Sequence, residues 1–591
     1  MIRANADYVF EVSWEVCNKA GGINTVIKTK APYMMEYYTN YFLIGPYFKD
    51  KAEVEVQQIE PPDFLRKIFF DLKTCGIKCY YGKWEVRGEP RVILVDFQSF
   101  FSEKDKIKTK LWEDYKVDSL SAPYDFDEPI VWSWCVGMLL EKIGHALPKM
   151  KIIAHFHEWL AGAGMLYLKS INSKIGTVFT THATMLGRTL AGNGFDLYDQ
   201  LGKFDPSQKA KEYNITSKHT MEVACANNTG VFTTVSEITS IEAEKLLGRK
   251  ADVLVLNGIE IERFPTIEET SIKHVTCRNI IREFLTYHFF PYYTFELNKN
   301  LTFFIAGRYE FHNKGIDIFI KALGELNRRL KKNDTPRTVS VFFWVPMRTY
   351  GIKVELLENK NYYRHIKSLV DMKSNQIMQQ IVNDFISRTL SVEESFFEKE
   401  FMREVKSNVL TFQRSGNPSV LTHNIENEAK DPVIQGLLAE GLDNKPDDKV
   451  KVIVYPVYLT GNDGLLDLPA YDAMAGCHFG IFPSYYESWG YTPLEAAAMG
   501  IASITSDLAG FGRFIHNKLL KEHAGIYVLK RFERTREQVV QDLADTMYKY
   551  ANLDHAERVQ NKINAKYISN LADWKHFIKF YIMAHNRALE K

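Results

Sequence analysis

Several things are scarce in this 591-residue chain, and each scarcity excludes a class of protein. It has no excess of one charge: Lys and Arg total 74 against 73 Asp and Glu, so nothing steers it towards nucleic acid or an acidic membrane surface. It lacks a bilayer-length apolar run, the longest being VWSWCVGMLL at 131–140. Cysteine is sparse, at seven scattered residues, an odd number that predicts reduced thiols and a cytoplasmic setting. Cys75 and Cys79 form a CxxxC with no second pair, which reads as buried thiols rather than a structural zinc site. MIRANADYVFEVSW enters a strand-like pattern at once, without signal-peptide architecture. What remains, 46% hydrophobic and 25% charged, is an ordinary globular composition long enough for two or more domains.

Short β-branched or aromatic runs alternate with longer amphipathic stretches, the pattern of parallel sheets covered by helices. YVFEVSW, NYFLIGPYF, RVILVDF, KIIAHFH, GTVFTTH, VFTTVSE and DVLVLNG form one set. LTFFIAGRYEF, VSVFFWVP, KVKVIVYP, HFGIFPS, IASITSD and AGIYVLK form a second. The fold class expected is therefore α/β, with two Rossmann-like domains facing a cleft. The division predicted is 1–275 and 276–574, with a helix at about 575–591 packing back on the first domain. Residues 352–448 interrupt the second set with charge-rich helical sequence, in which Ile366, Leu369, Val370, Ile377, Ile381 and Phe385 recur at helical steps.

Ligands in such sheets bind beyond the carboxyl ends of strands, so polar residues there are the candidates. Phe482–Gly500, FPSYYESWGYTPLEAAAMG, carries two carboxylates, Glu487 and Glu495, around what reads as a strand, a loop and a helix start. Thr492 is expected to cap that helix, with Pro493 at its first position and Glu495 completing a capping box. Amides near Gly490, Tyr491 and Thr492 would then face a diphosphate without a metal. Equally, Glu495 reads as a cap alone and Glu487 as a solvated loop acid. EVCNKAGGI places Lys19 before Gly21 and Gly22 at another helix start. THATMLGR supplies His182 and Arg188 after a buried strand. In AGRYEFHNKG, Arg308 and Lys314 are a strand-end cation pair able to neutralise a diphosphate leaving group. Asp125-Phe126-Asp127, a DxD, reads as surface acid in a loop rather than a magnesium site.

The blocks FEVSWEVCNKAGGINTVIKTKA, NYFLIGPYF, FHEW, TTHAT-x-LGR, FTTVSEIT-x-IEAE, FIAGRYEF-x-NKG, LTHN, GCHFGIFPSYYE-x-WGYTP and GFGRF, in this order, resemble the eukaryotic-type (animal and fungal) glycogen synthases. These are retaining glucosyltransferases of two-Rossmann-domain (GT-B) architecture, and the resemblance runs from about residue 8 to 583. It implies transfer of glucose from UDP-glucose to the non-reducing 4-hydroxyl of an α-1,4-glucan, with no cofactor or metal. By position, Lys19, Arg308 and Lys314 would hold the UDP phosphates, with Gly21 and Gly22 close by. His182 and Arg188 would line the donor and acceptor side, Asn257 would also bind substrate, and Glu487 would sit by the transferred glucose. Glu495 would face the ribose, while Trp489, Gly490, Tyr491 and Thr492 would contact glucose and phosphate. With one carboxylate spent on ribose, front-face attack is favoured over a covalent intermediate.

The resemblance also implies a homotetramer assembled through the 352–448 insertion, a glycogenin-like primer protein as partner, and a glucose-6-phosphate site at Glu269, His274, Arg278, His478, Arg558 and Lys562. Here LDHAERVQNKINAKYISNLADW keeps only Arg558, Lys562 and Lys566, and Ser271 stands where a larger amide is usual. With no Ser-rich tail in view, a constitutive or only mildly activated enzyme is expected. Ser488 replaces a customary Pro in the Glu487 loop, leaving open what makes that loop rigid. Two competing readings are a related glucosyltransferase using ADP-glucose and a non-catalytic glucan-binding scaffold. A phosphorylase fits poorly, because no block resembles its pyridoxal-lysine segment.

Overall fold

In the computed structural model, which describes residues 2–333, 335–387, 399–518 and 525–590, the two sets of apolar runs fold into two separate sheets. The first contains β1 (Tyr8–Val12), β2 (Tyr41–Pro46), β3 (Val56–Gln58), β4 (Lys78–Trp84), β5 (Arg91–Asp96), β6 (Ile152–His157), β7 (Gly176–Thr181), β8 (Val231–Thr234) and β9 (Val253–Leu254). Their order is β3-β4-β5-β2-β1-β6-β7-β8-β9, parallel from β5 to β9 and antiparallel at the β3-β4-β5 edge.

In the second half come β10 (Asn300–Ala306), β11 (Thr338–Trp344), β12 (Thr349–Ile352), β13 (His423–Ile425), β14 (Val450–Val454), β15 (Phe479–Phe482), β16 (Ala502–Ser506) and β17 (Ile526–Leu529). Six of these form an all-parallel sheet, β14-β11-β10-β15-β16-β17, and β12 pairs with β13 separately. The central strands β2, β6 and β11, and even the edge strand β14, are buried along their whole length, so helices cover both faces and the runs are continuously apolar.

The closing helix, Trp574–Glu590, packs on the first sheet rather than the second. Trp574, Phe577, Ile578, Tyr581 and Ile582 join its core, and the Trp574 indole donates to Thr29 Oγ1 at 2.9 Å. The chain crosses from one domain to the other near residue 260 and crosses back beside it, where Ile259 and Asp573 form a parallel bridge. The expected boundary at 275/276 falls inside one continuous helix, Ile267–Phe289. That helix starts at a Thr266/Glu269 capping box and buries Cys277, Ile281, Phe284 and Leu285 in the second domain.

Only part of the 352–448 stretch projects as helices, namely Val354–Ser387 and Lys399–Phe412. Beyond them Val420, Leu421, Ile425, Val433, Ile434, Leu437 and Leu442 return to the second core. On the long helix, Leu369 is buried, whereas Val370, Ile381 and Phe385 are exposed, Phe385 to 78%. The run 131–140 lies in the buried helix Tyr124–Ala146. Among the described residues, no helix is long and apolar enough to cross a membrane.

Two further expectations are corrected. Asp125 and Asp127 are in the first turn of that helix, not in a loop; Asp127 is buried between Lys104 and Lys108, where two ammonium groups offset its burial. The seven cysteines are free, but Cys75 is exposed and only Cys79 is half-buried, because Cys75 ends the Asp63–Thr74 helix at the surface.

Candidate active site

The helix after the Glu487 loop, Tyr491–Ala498, begins differently from the sequence expectation. Gly490 occupies the cap position at φ 98°, a left-handed backbone that only glycine takes readily, and no side chain caps the helix. Thr492 therefore sits in the first turn and lines a small cavity with Lys314, Glu487, Ser484 and Pro493. Glu495 is no capping acid; it accepts a 2.9 Å hydrogen bond from Tyr471, and burial raises its carboxyl pKa. In the cavity the Lys314 ammonium lies directly on the Glu487 carboxylate. Arg308, 64% exposed, pairs with Glu310 at 2.9 Å.

Ser488 does not leave this loop loose. Glu487 forms a parallel bridge with Ala509, Gly510 N–H donates to the Glu487 carbonyl at 3.3 Å, and Phe511 N–H donates to the Trp489 carbonyl at 2.7 Å. A Cβ on Gly510 would meet the Ser488 carbonyl at 2.3 Å, so the approach requires glycine. Two side chains expected at substrate point elsewhere. The Trp489 indole is buried against Phe511, Phe514 and Phe577, leaving its backbone alone near the site. The Tyr491 hydroxyl donates across the domain interface to the Gly258 carbonyl at 3.3 Å.

From the first domain, Gly22 caps the helix Ile23–Tyr37, and Glu15 accepts from Gly21 N–H and Asn24 N–H at 2.8 and 2.9 Å. Lys19 is exposed at this turn. Asn257 is buried with its Oδ1 unpartnered. Arg188, exposed on the helix Met185–Gly192, lies near enough to Glu15 and Glu158 to lower both carboxyls against the burial that raises them. Glu158 holds the preceding turn by accepting from His182 N–H at 2.7 Å and Ala183 N–H at 3.2 Å. The loops after β10 and β15 are adjacent: Tyr485 N–H and Tyr486 N–H donate to the Asn313 carbonyl at 2.8 and 3.2 Å.

His182 ends a buried chain that sequence reasoning did not find. His182 Nε2 lies 2.9 Å from His157 Nδ1, and His157 Nε2 lies 2.7 Å from Glu11 Oε1. Lys30 and Tyr41 also donate to Glu11 at 2.5 Å each. Burial would raise the Glu11 carboxyl, but Lys30 and the His157 hydrogen bond outweigh it and hold it well below the usual range. Burial keeps His157 and His182 neutral, so the protons order themselves. His157 donates from Nε2 to Glu11 and accepts on Nδ1 from His182 Nε2–H, which leaves His182 Nδ1 a hydrogen-bond acceptor. Only the residue types, two histidines on β6 and an acid on β1, hinted at this in sequence.

Glu11, His155 and His157 offer three ligand atoms within 4.8 Å of one another, yet they do not fit a metal. The Lys30 ammonium already supplies the cation, and the His155 nitrogens engage His585 at 3.1 Å and Thr180 at 2.6 Å.

A second cationic cavity, of about 320 Å³, lies between the Ile267–Phe289 and His555–Asn570 helices. His274, Arg278, His478, Arg558, Lys562 and Lys566 line it. Glu269 does not; its carboxylate is spent on the Thr266 N–H at the helix cap. Burial and neighbouring arginines lower Lys562 to about 7, and burial lowers Lys566 to about 8. Among the described residues no carboxylate pairs with Arg278, Arg558 or Lys562, and Arg278 Nε is buried without a partner.

Two parallel-sheet domains whose strand-end loops converge on a cation–carboxylate pair beside a helix start define a GT-B glycosyltransferase. The catalytic domain of starch synthase IV from Arabidopsis thaliana, solved with ADP and acarbose, shares the fold at TM-score 0.50 and 13% identity, covering 99% of this chain and 100% of that one. The family model for glycogen synthase matches residues 11–591. Liver glycogen [starch] synthase of Mus musculus is 36% identical over 586 residues, 99% of this chain and 83% of its own. Glycogen [starch] synthase of Caenorhabditis elegans is 36% identical over 598 residues, 100% and 89% respectively. The chain belongs to the glycogen synthase family.

Proposed function

We propose that this chain transfers glucose from UDP-glucose to the non-reducing 4-hydroxyl of an α-1,4-glucan, with retention of configuration. The observation that carries the reading is the Lys314–Glu487 pair beside the Tyr491–Ala498 helix start. A diphosphate entering there would meet the helix amides and the positive end of its dipole, with Lys314 and Arg308 to neutralise charge as UDP departs. No metal is then needed, so transfer should be insensitive to EDTA. His182 Nδ1, fixed as an acceptor, suits a sugar hydroxyl. Glu487, partnered by an ammonium, stabilises developing positive charge at the sugar while the departing UDP oxygen takes the acceptor proton in a front-face reaction. Trapping a glucosyl adduct on Glu487 would overturn that mechanism.

The uncompensated cations of the second cavity suit a phosphorylated sugar such as glucose-6-phosphate. The exposed Val370, Ile381 and Phe385 stripe supports self-association into a tetramer, and a glycogenin-like protein would supply the primer. Free cysteines are consistent with a cytoplasmic workplace. The test is incorporation of labelled glucose into glycogen from UDP-glucose and from ADP-glucose, each with and without glucose-6-phosphate. Incorporation from UDP-glucose is expected; transfer only from ADP-glucose would replace the donor, and binding of glycogen with no transfer from either would leave a scaffold.

A further inference from the structure

One buried carboxylate of the first domain reaches both loops that carry candidate catalytic groups. Glu242, on the helix Glu237–Leu246, is 1% exposed. Its Oε1 accepts from Thr184 Oγ1 at 2.5 Å and from the Tyr486 hydroxyl at 2.9 Å, while Oε2 accepts from the Tyr198 hydroxyl at 3.3 Å. Thr184 lies two residues after His182 and caps the helix that bears Arg188, its hydroxyl also accepting from Gly187 N–H at 2.9 Å. Tyr486 immediately precedes Glu487. A single side chain therefore spans the domain interface within two residues of His182 on one side and one residue of Glu487 on the other.

The surroundings are built for this contact. A Cβ on Gly187 would stand 2.2 Å from Glu242 Oε1, so the glycine of THATMLGR is what lets the carboxylate in. Leu186, Leu190, Leu197, Ile238 and Leu246 from the first domain enclose it together with Tyr485, Tyr486 and Leu508 from the second. In so apolar a shell, hydrogen bonds to a charged acceptor are stronger than in water, and an unmet partner is costly. An apolar residue at 242 would leave the hydroxyls of Thr184, Tyr486 and Tyr198 without this acceptor. Burial pushes the Glu242 carboxyl up to about 7 despite its three hydroxyl partners.

We propose that Glu242 is a positioning residue that ties the His182–Arg188 loop of the first domain to the Glu487 loop of the second, setting the separation of the two sides of the reaction site. The proposal rests on the reading of His182 and Glu487 as site residues. Rates depend steeply on such separation, a misplacement of about 1 Å costing about 100-fold. Packing alone resists sliding poorly at a domain interface, whereas the directed bond from Tyr486 to a carboxylate that Thr184 and Tyr198 fix within the first domain defines a single register.

The test uses the full chain with Tyr486→Phe, Glu242→Gln, their combination and the conservative Thr184→Ser. Turnover with UDP-glucose and glycogen should fall about 10- to 100-fold in Tyr486→Phe and Glu242→Gln, with KM for UDP-glucose changed less than about three-fold. The double variant should be no worse than Glu242→Gln, and Thr184→Ser should keep the wild-type rate. Amide hydrogen exchange of Tyr486→Phe supplies a readout independent of turnover: segment 182–190 of the first domain should exchange faster along with 484–490, while both sheets stay unchanged. Wild-type turnover in the single variants, additive losses, or faster exchange confined to 484–490 would overturn the tie. Absence of transfer by the unmodified protein would fail the functional reading instead, and the exchange experiment alone would then decide.

Discussion

Lys314 lies on Glu487 and Arg308 on Glu310, whereas Arg278, Arg558 and Lys562 surround a cavity with no paired carboxylate among the described residues. The two cationic regions thus differ in how their charge is met. In the first, the fold supplies the counter-charge, so the side chains are held in place, and in the proposed reaction they would exchange protein partners for substrate. In the second, the fold lowers Lys562 to about 7 by burial and cationic neighbours and, among the described residues, supplies it no carboxylate, which is what the proposed anion would balance.

The strongest way to break this contrast is to remove the first region's cation. Lys314→Met should lower kcat for glucose transfer by about 100- to 1,000-fold, the scale of losing one preorganised electrostatic partner, as measured by initial rates at saturating donor. Lys562→Met, in the other region, should instead stabilise the fold by about 1–3 kcal/mol in denaturant titration, since it deletes a buried charge without a partner. Loss of stability on that substitution would show that the cavity is already balanced.

The pH dependence sharpens the difference further. A lysine pKa depressed from 10.5 to about 7 means the folded state binds fewer protons, so this group's penalty is full below about 7 and is relieved as pH rises towards 10.5. An anion that reverses the penalty gains most where Lys562 is charged. The rise in Tm produced by sulfate, whose own charge is constant in this range, should be larger at pH 6 than at pH 8.5, and the difference should shrink in Lys562→Met, with Lys566, lowered to about 8 in the same cavity, accounting for the remainder. The smallest effect is expected at the Glu487 loop. Ser488→Pro should leave turnover within about two-fold and add at most about 1 kcal/mol, because the bridge from Glu487 to Ala509 already holds the loop.

The legible and illegible parts divide along the same physical line. Thirteen apolar runs were readable as strands because parallel strands buried on both faces are apolar throughout. β3 and β4 were not, since KCYYGKW on an antiparallel edge mixes polar and apolar residues in a way that resembles loop. β12 and β13 are short and paired over 70 residues apart. Candidate residues at strand ends were legible individually; their pairings were not. Lys314 meets Glu487 across 173 positions and Glu242 meets Tyr486 across 244, contacts that only the tertiary fold creates. The helix starts at Gly490 rather than Thr492 because the capping-box pattern of Thr492 and Glu495 competes with a left-handed glycine two residues earlier, and the glycine prevails. The Glu11–His157–His182 chain was hidden in apolar strands, where a polar residue carries no local sign of its partner.

In the proposed reaction Glu487, held by Lys314, stands at the transferred sugar. The most direct test measures labelled-glucose incorporation into glycogen from UDP-glucose by the unmodified chain and by Glu487→Gln in parallel, with UDP binding as a control for the fold. A loss of at least about 100-fold with UDP binding retained is predicted; incorporation by Glu487→Gln at the unmodified rate would contradict it.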